Sequence, residues 1–313
     1  MRPTVPALLV VLAACGGGDD DATPAADTTA PVVVPTSIVN SPLLPAEGCE
    51  DAPDPADYEV GAIPQAVRPC ETPTALVTHT IRSGTGRNAQ DGDSLIVDYI
   101  GIRAEDGAIF DESYSRGVPQ EFPLGRGGVI QGWDDGLIGT QAGSLVKLDV
   151  PADLAYGDTP PGGESSGIEP GDALSFIVEV RAVIAPVTAV DAPLDLQIEP
   201  SVGATEVTVT ELSPGDGATV ELGDTVVVHL LLVRGDNEVV LFNTWERSDP
   251  FQIILQEGQT IPGLFQGLQG AEVGSRLSIA MPPSEAFGEQ GDASLGLPAG
   301  TDLIAIVDVV GVY

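Results

Sequence analysis

The chain has 313 residues, with 47 Asp or Glu against 12 Lys or Arg, a formal charge of -35. That balance excludes nucleic acid as a partner, because neutralising phosphates takes basic side chains, and it disfavours adsorption to anionic lipid. With 42% hydrophobic residues the chain can still build folded cores, and its length fits two domains of ordinary size.

At the N-terminus a single basic residue, Arg2, precedes an apolar run from Val5 to Ala14. The run is about half as long as a membrane-spanning helix and reads as a signal peptide over residues 1–14. Its end, Leu12-Ala13-Ala14-Cys15, resembles the bacterial lipobox. The resemblance implies cleavage before Cys15 and lipidation of that cysteine. The mature protein is then held by a lipid anchor on the outer face of the bacterial cytoplasmic membrane. Residues 15–48, rich in Gly, Ala, Asp, Thr and Pro, form a tether. Cys49 and Cys70 follow, an isolated pair that outside the cytoplasm reads as a disulfide stapling an extension over 49–75. Closing a loop of about 20 residues stabilises by roughly 3 kcal/mol. Two sulfurs are too few for a metal site, and His79 and His229 are both remote in sequence.

The rest of the chain repeats itself at an offset of 131 residues. Gly92-Asp93 returns as Gly223-Asp224, Gly132 as Gly263, Gly136-Leu137 as Gly267-Leu268, Gly143-Ser144 as Gly274-Ser275, Pro151 as Pro282 and Gly157 as Gly288. Glycine positions report backbone geometry, so the pattern implies two copies of one domain, 76–186 and 204–313, joined by a linker at 187–203. Strand patterns cover Leu95 to Val97, Leu145 to Val150 and Leu174 to Val183, with counterparts at Val226 to Val233, Leu277 to Met281 and Leu303 to Val310. One short helix per copy is expected, around Ile130 to Ile138 and Ile261 to Leu268. The expected class is α+β, each copy a curved antiparallel sheet wrapped around one helix.

Within the first copy, Val129-Ile130-Gln131-Gly132-Trp133, then Ala155-Tyr156-Gly157 and Ile168-Glu169-Pro170, resemble the FKBP-type peptidyl-prolyl cis-trans isomerases. Tyr99, the Phe110-Asp111 pair and Phe176 stand at further landmarks of that family, and the resemblance spans the whole first copy. It implies an apolar site lined by Tyr99, Phe110, Val129, Ile130, Tyr156, Ile168 and Phe176, with Trp133 as its floor. It also implies that the Ile130 N–H and the Tyr156 hydroxyl donate to ligand carbonyls, with Asp111 at the rim. The family string Pro-Phe-x-Phe reads Pro119-Gln120-Glu121-Phe122 here, so Gln120 replaces one edge aromatic and Phe122 remains. Proline-containing polypeptides are the implied substrates and tacrolimus-like macrolides the implied inhibitors. No cofactor is implied, and the residues offer no acid–base pair or metal set for one.

At the same places the second copy has Leu230 for Tyr99, Asn243 for Asp111, Leu264 for Trp133, Phe287 for Tyr156 and Ala305 for Phe176. Phe242 is read as the persisting Phe110, Ile261 as the persisting Ile130, and Phe251 as the edge aromatic. The backbone is retained and the polar groups are lost, which implies a structural or polypeptide-binding role for this copy. Two classes stay open for the whole chain: an isomerase assisting the folding of extracytoplasmic proteins, or a non-catalytic module that holds polypeptide. Asp134-Asp135 reads as solvated surface, Asp91-x-Asp93 lacks the rest of a calcium loop, and Trp245 has no assigned place.

Overall fold

The computed structural model describes residues 47–51, 54–58, 62–162, 166–187, 191–194, 200–247 and 250–313. The signal segment, Cys15 and nearly all of the tether lie outside them. The first copy contains β1 (Val77–Arg82), β2 (Ser94–Arg103), β3 (Ile109–Glu112), β4 (Gln120–Pro123), α1 (Gln131–Gly136), β5 (Leu145–Val150) and β6 (Leu174–Ile184). The second contains β7 (Thr208–Ser213), β8 (Thr225–Arg234), β9 (Val240–Asn243), β10 (Phe251–Ile254), α2 (Pro262–Leu268), β11 (Arg276–Met281) and β12 (Leu303–Val312). All ladders are antiparallel, ordered β1-β5-β6-β2-β3 in the first sheet with β4 also on β2. The second sheet repeats this as β7-β11-β12-β8, with β9 and β10 both on β8. The class is α+β, two tandem domains of one topology.

Alternation along the strands divides each sheet into two buried faces. Leu95, Val97 and Tyr99 of β2, Val146, Leu148 and Val150 of β5, and Leu174, Phe176 and Val178 of β6 point toward α1 and its Trp133 and Leu137. Burying each such side chain contributes about 1.5–3 kcal/mol. The opposite residues, Ile100, Ile102, Leu145 and Ile177, are covered by Tyr58 and Ala66 of the extension, whose Cys49–Cys70 disulfide is formed. In the second copy the corresponding face is covered by Trp245 and by Ala192 and Val187 from the linker region.

The repeated glycines have two distinct causes. Gly92 and Gly223 have φ of +90° and +98°, and each precedes an Asp whose carboxylate accepts from the backbone N–H three residues back. These are turns that only glycine enters without strain. Gly132 and Gly136 instead lie where α1 crosses β5, and an added Cβ would overlap Val150 and Leu148. Gly263 and Gly267 stand in the same relation to Met281 and Ile279 of β11. Gly132→Ala should therefore lower the stability of the first domain by about 1–3 kcal/mol through overpacking, read as a lower urea midpoint. An unchanged midpoint would mean that α1 can lift off β5 at no cost.

The two copies meet back to back. Ile96, Ala182 and Ile184 pack with Val227, Val310 and Tyr313. Ala182 pairs with Ile96 on β2, as Gly311 pairs with Val227 on β8, so equivalent positions from both copies face one another. A Cβ on Gly311 would come within 2.9 Å of that of Ala182, which explains a glycine inside an otherwise β-branched strand.

Candidate active site

The first copy gathers its scarce aromatics around one indole. The Trp133 ring meets Tyr99 edge-on at 5.2 Å between centroids, Phe176 edge-on at 5.3 Å and Phe122 at 5.4 Å. Phe110 adds an edge contact to Phe176 at 5.7 Å. Val129, Ile130, Tyr156 and Ile168 belong to the same apolar cluster. Each is placed by a local device. The β2–β3 ladder shifts register between Gly101 and Ile102, which leaves Phe110 as the bulged residue turned onto Phe176. Ile130, extended at φ -62° and ψ 148°, starts α1, and its N–H has no backbone partner among the described residues. The single-turn helix Ala152–Leu154, closed by the Gly157 N–H donating to the Ala152 carbonyl, presents Tyr156 half-buried.

A polar triangle borders the cluster. The Tyr99 hydroxyl donates a short bond to Asp111, and Arg116 donates to Asp111 at 2.5 Å and to the Tyr99 oxygen at 3.0 Å. The guanidinium also lies 5.7 Å from the Tyr99 ring centre, a cation–π contact. Burial and then the Asp111 hydrogen bond push the Tyr99 hydroxyl up to about 12. Burial, and next the charge of Asp111, also raises Tyr156. Both phenols stay protonated donors at neutral pH.

The sequence profile of FKBP-type peptidyl-prolyl cis-trans isomerases matches residues 85–181 and again 217–310. The chain belongs to this family. An FK506-binding protein of Streptomyces anulatus is 42% identical over 113 residues, covering 36% of this chain and 90% of that protein. Peptidyl-prolyl cis-trans isomerase FKBP10 of Homo sapiens is 34% identical over 224 residues, 72% of this chain. This FKBP-type chain covers only 35% of that human protein's length. The crystal structure of FkpA from Escherichia coli is 40% identical, covers 36% of this chain and 49% of that one, and superposes with a TM-score of 0.32.

In this FKBP-type chain Gln120 lies exposed on β4, paired with Val97 as Phe251 is with Val228, and its amide donates to the Glu121 carbonyl at 3.0 Å. The structure corrects other expectations. Asp134 is buried rather than solvated, accepting from the Gly125 and Gly127 N–H groups at 2.8 and 2.9 Å and so fixing the loop before α1. In the second copy, Asn243 does not replace Asp111. Leu232 pairs with Phe242 as Gly101 pairs with Asp111, and Leu231 with Asn243 as Ile100 with Glu112. Phe242 therefore holds the place of Asp111 and Leu241 that of Phe110. Side-chain roles agree, since Glu112 and Asn243 each accept from the N–H of the single turn that follows.

That register also assigns Trp245. The Leu230 N–H donates to Thr244 as the Tyr99 N–H donates to Ser113, so Trp245 is the counterpart of Tyr114. It is fully buried on the back of the second sheet with Leu231, Val233 and Ile306, its ring tilted against that of His229 with centroids 5.1 Å apart. Arg116 was missed by sequence reasoning. Its signal was a guanidinium five positions after Asp111 in a chain with few cations. In the second copy Arg247 lies 5.8 Å over the Phe242 ring, and Phe242 meets Phe251 edge-on at 6.3 Å. The carboxylate is gone and an aromatic rim has replaced it.

Proposed function

We propose that the first copy accelerates rotation about X–Pro bonds without covalent chemistry, in the apolar site floored by Trp133. The uncatalysed barrier is about 18–20 kcal/mol, and the rotation takes tens to hundreds of seconds. Turnover of about 10–100 per second lowers the barrier by roughly 3–5 kcal/mol. Twisting the amide breaks its resonance, so the transition state is less dipolar than the planar ground state. An aromatic site that strips water from the carbonyl stabilises the twisted form relative to the planar one. The Ile130 N–H and the Tyr156 hydroxyl are the donors for substrate carbonyls, and Asp111, held by Tyr99 and Arg116, fixes the rim. The observation that carries this reading is the enclosure of Trp133 by Tyr99, Phe122 and Phe176 beside that polar triangle.

We read the second copy as a holder of apolar polypeptide segments that does not isomerise them. Its Leu230, Phe242, Phe251 and Leu264 keep an apolar face without the two hydroxyls and the carboxylate. Tacrolimus-like macrolides are expected to bind the first copy only. The whole protein is proposed to act outside the cytoplasm, anchored through lipidated Cys15, where it assists folding of secreted or envelope proteins. No helix of the described residues is long and apolar enough to cross a membrane.

The test is isomerisation of an X-Pro peptide by exchange NMR with residues 47–313, which keep the Cys49–Cys70 extension, repeated from pH 6 to 9. Acceleration with a flat pH profile is expected, because Tyr99 is held up to about 12 and no proton moves. The folded state keeps that proton more tightly than the unfolded chain, so losses from its ionisation begin only above the ordinary tyrosine range and continue through about 12. No acceleration would sink the enzyme reading, and a titration near neutrality would sink the uncharged mechanism.

A further inference from the structure

The extension before β1 is closed on itself by the Cys49–Cys70 disulfide and lies on the back of the first sheet through a few buried groups. Cys49 and Cys70 are joined across a separation of 21 residues, and both are exposed. Inside the loop the Glu50 N–H donates to the Arg68 carbonyl at 2.8 Å, and the Cys70 N–H donates to Asp51 at 2.7 Å. The Glu50 carbonyl in turn accepts from Lys147 Nζ at 2.6 Å. Lys147 is 0% exposed, and its carboxylate partner is Asp149 at 3.1 Å. It is the only lysine in the chain. Tyr58 and Ala66 complete the cover by packing on Ile81, Ile100, Ile102, Leu145 and Ile177.

We propose that the Cys49–Cys70 disulfide is a redox latch: its reduction releases the extension from the first sheet and uncovers Lys147, while the sheet stays folded. The reductant is a dithiol. One of its thiolates attacks an exposed cysteine sulfur, and the mixed disulfide is resolved by the second thiolate. The two electrons and two protons end on Cys49 and Cys70, and the reductant leaves as a disulfide. Both cysteines are exposed residues, which gives the dithiol access to the bond. Without the link, the regained freedom of a loop of this length disfavours the docked state about a hundredfold. Against that stand, among the described residues, Tyr58 and Ala66 on the sheet, the buried Pro64 and Pro69, and the Glu50 carbonyl on Lys147. Lys147 assists release, since its ammonium trades a single carbonyl partner for water.

Lys147 makes the test a single-site measurement. The full chain, oxidised or treated with dithiothreitol, is pulsed with an amine-acetylating ester, and acetylation of Lys147 is followed by peptide mass spectrometry. Hydrogen exchange of β6 amides is recorded in parallel. Reduction should speed acetylation at least tenfold and leave β6 protection unchanged. The variant Cys49→Ser with Cys70→Ser should match the reduced protein without any reductant. Equal acetylation rates before and after reduction would overturn the proposal, because the extension would then be held by its other contacts. A rise accompanied by loss of β6 protection would also overturn it, since the disulfide would then hold the whole domain together.

Discussion

Trp133→Leu combined with Phe176→Ala should cut kcat/KM for an X-Pro peptide by about a hundredfold, which is about 2.7 kcal/mol of transition-state stabilisation. These are the residues at the equivalent positions 264 and 305 of the second copy, where the same backbone topology forms around them. The change removes the indole floor and the ring that closes one side of it, leaving Ile130, Tyr156 and Asp111 in place. Loss of packing will lower stability as well, since truncating a buried Phe to Ala costs about 3–5 kcal/mol. Activity must therefore be read well below the melting temperature, with the aromatic circular dichroism of the remaining cluster as the check on folding. Tyr156→Phe separates the two effects, because it deletes one hydroxyl and no ring. It should cost a smaller factor in kcat/KM and almost no stability. If the double exchange left kcat/KM within a factor of three, the aromatic floor would not be the source of catalysis.

A large effect on stability from a single polar residue is expected at Asp149→Ala. Lys147 has no exposed surface, and its charge is balanced by Asp149, which also accepts from Ser175 at 2.5 Å. Removing the carboxylate leaves an uncompensated ammonium beneath the extension, at a cost of about 3–5 kcal/mol. Replacing both residues by apolar ones of similar size, Lys147→Met with Asp149→Leu, should recover most of that loss. A well-packed apolar pair avoids the desolvation that the ion pair had to offset. Urea unfolding of the parent, Lys147→Met, Asp149→Leu and the double variant measures the coupling directly. A single Asp149→Ala as stable as the parent would show that water reaches Lys147.

Much of the site was legible in the sequence because aromatics are rare here, with two Trp, five Tyr and seven Phe. Tyr99, Phe110, Phe122, Trp133, Tyr156 and Phe176 stood at family spacings, and all six enter one cluster. Arg116 did not stand out, since its role depends on a single turn, Tyr114–Arg116, that folds it back over Tyr99. The Phe110 to Phe242 match failed for a physical reason. A bulge consumes one residue in each copy, so Phe242 turns out to be aligned by its hydrogen bonds with Asp111 and not with the residue it resembles. Linear similarity matched side chains where the backbone register did not.

Charge and length set the limits of what this protein is, and the sequence by itself determined more than these. The repeat, the α+β class and the family follow from glycines and aromatics whose spacing is tied to local backbone geometry. Those signals are local or periodic, and a linear string carries them. Only the tertiary structure decided the rest: that Gly132 and Gly136 let α1 rest on β5, that Trp245 closes the back of the second sheet, and that the chain's one lysine is sealed under a disulfide loop. Each of those depends on which surfaces remain uncovered once the strands have paired. That is a property of the packed sheets, between residues distant in the chain, and no periodicity announces it.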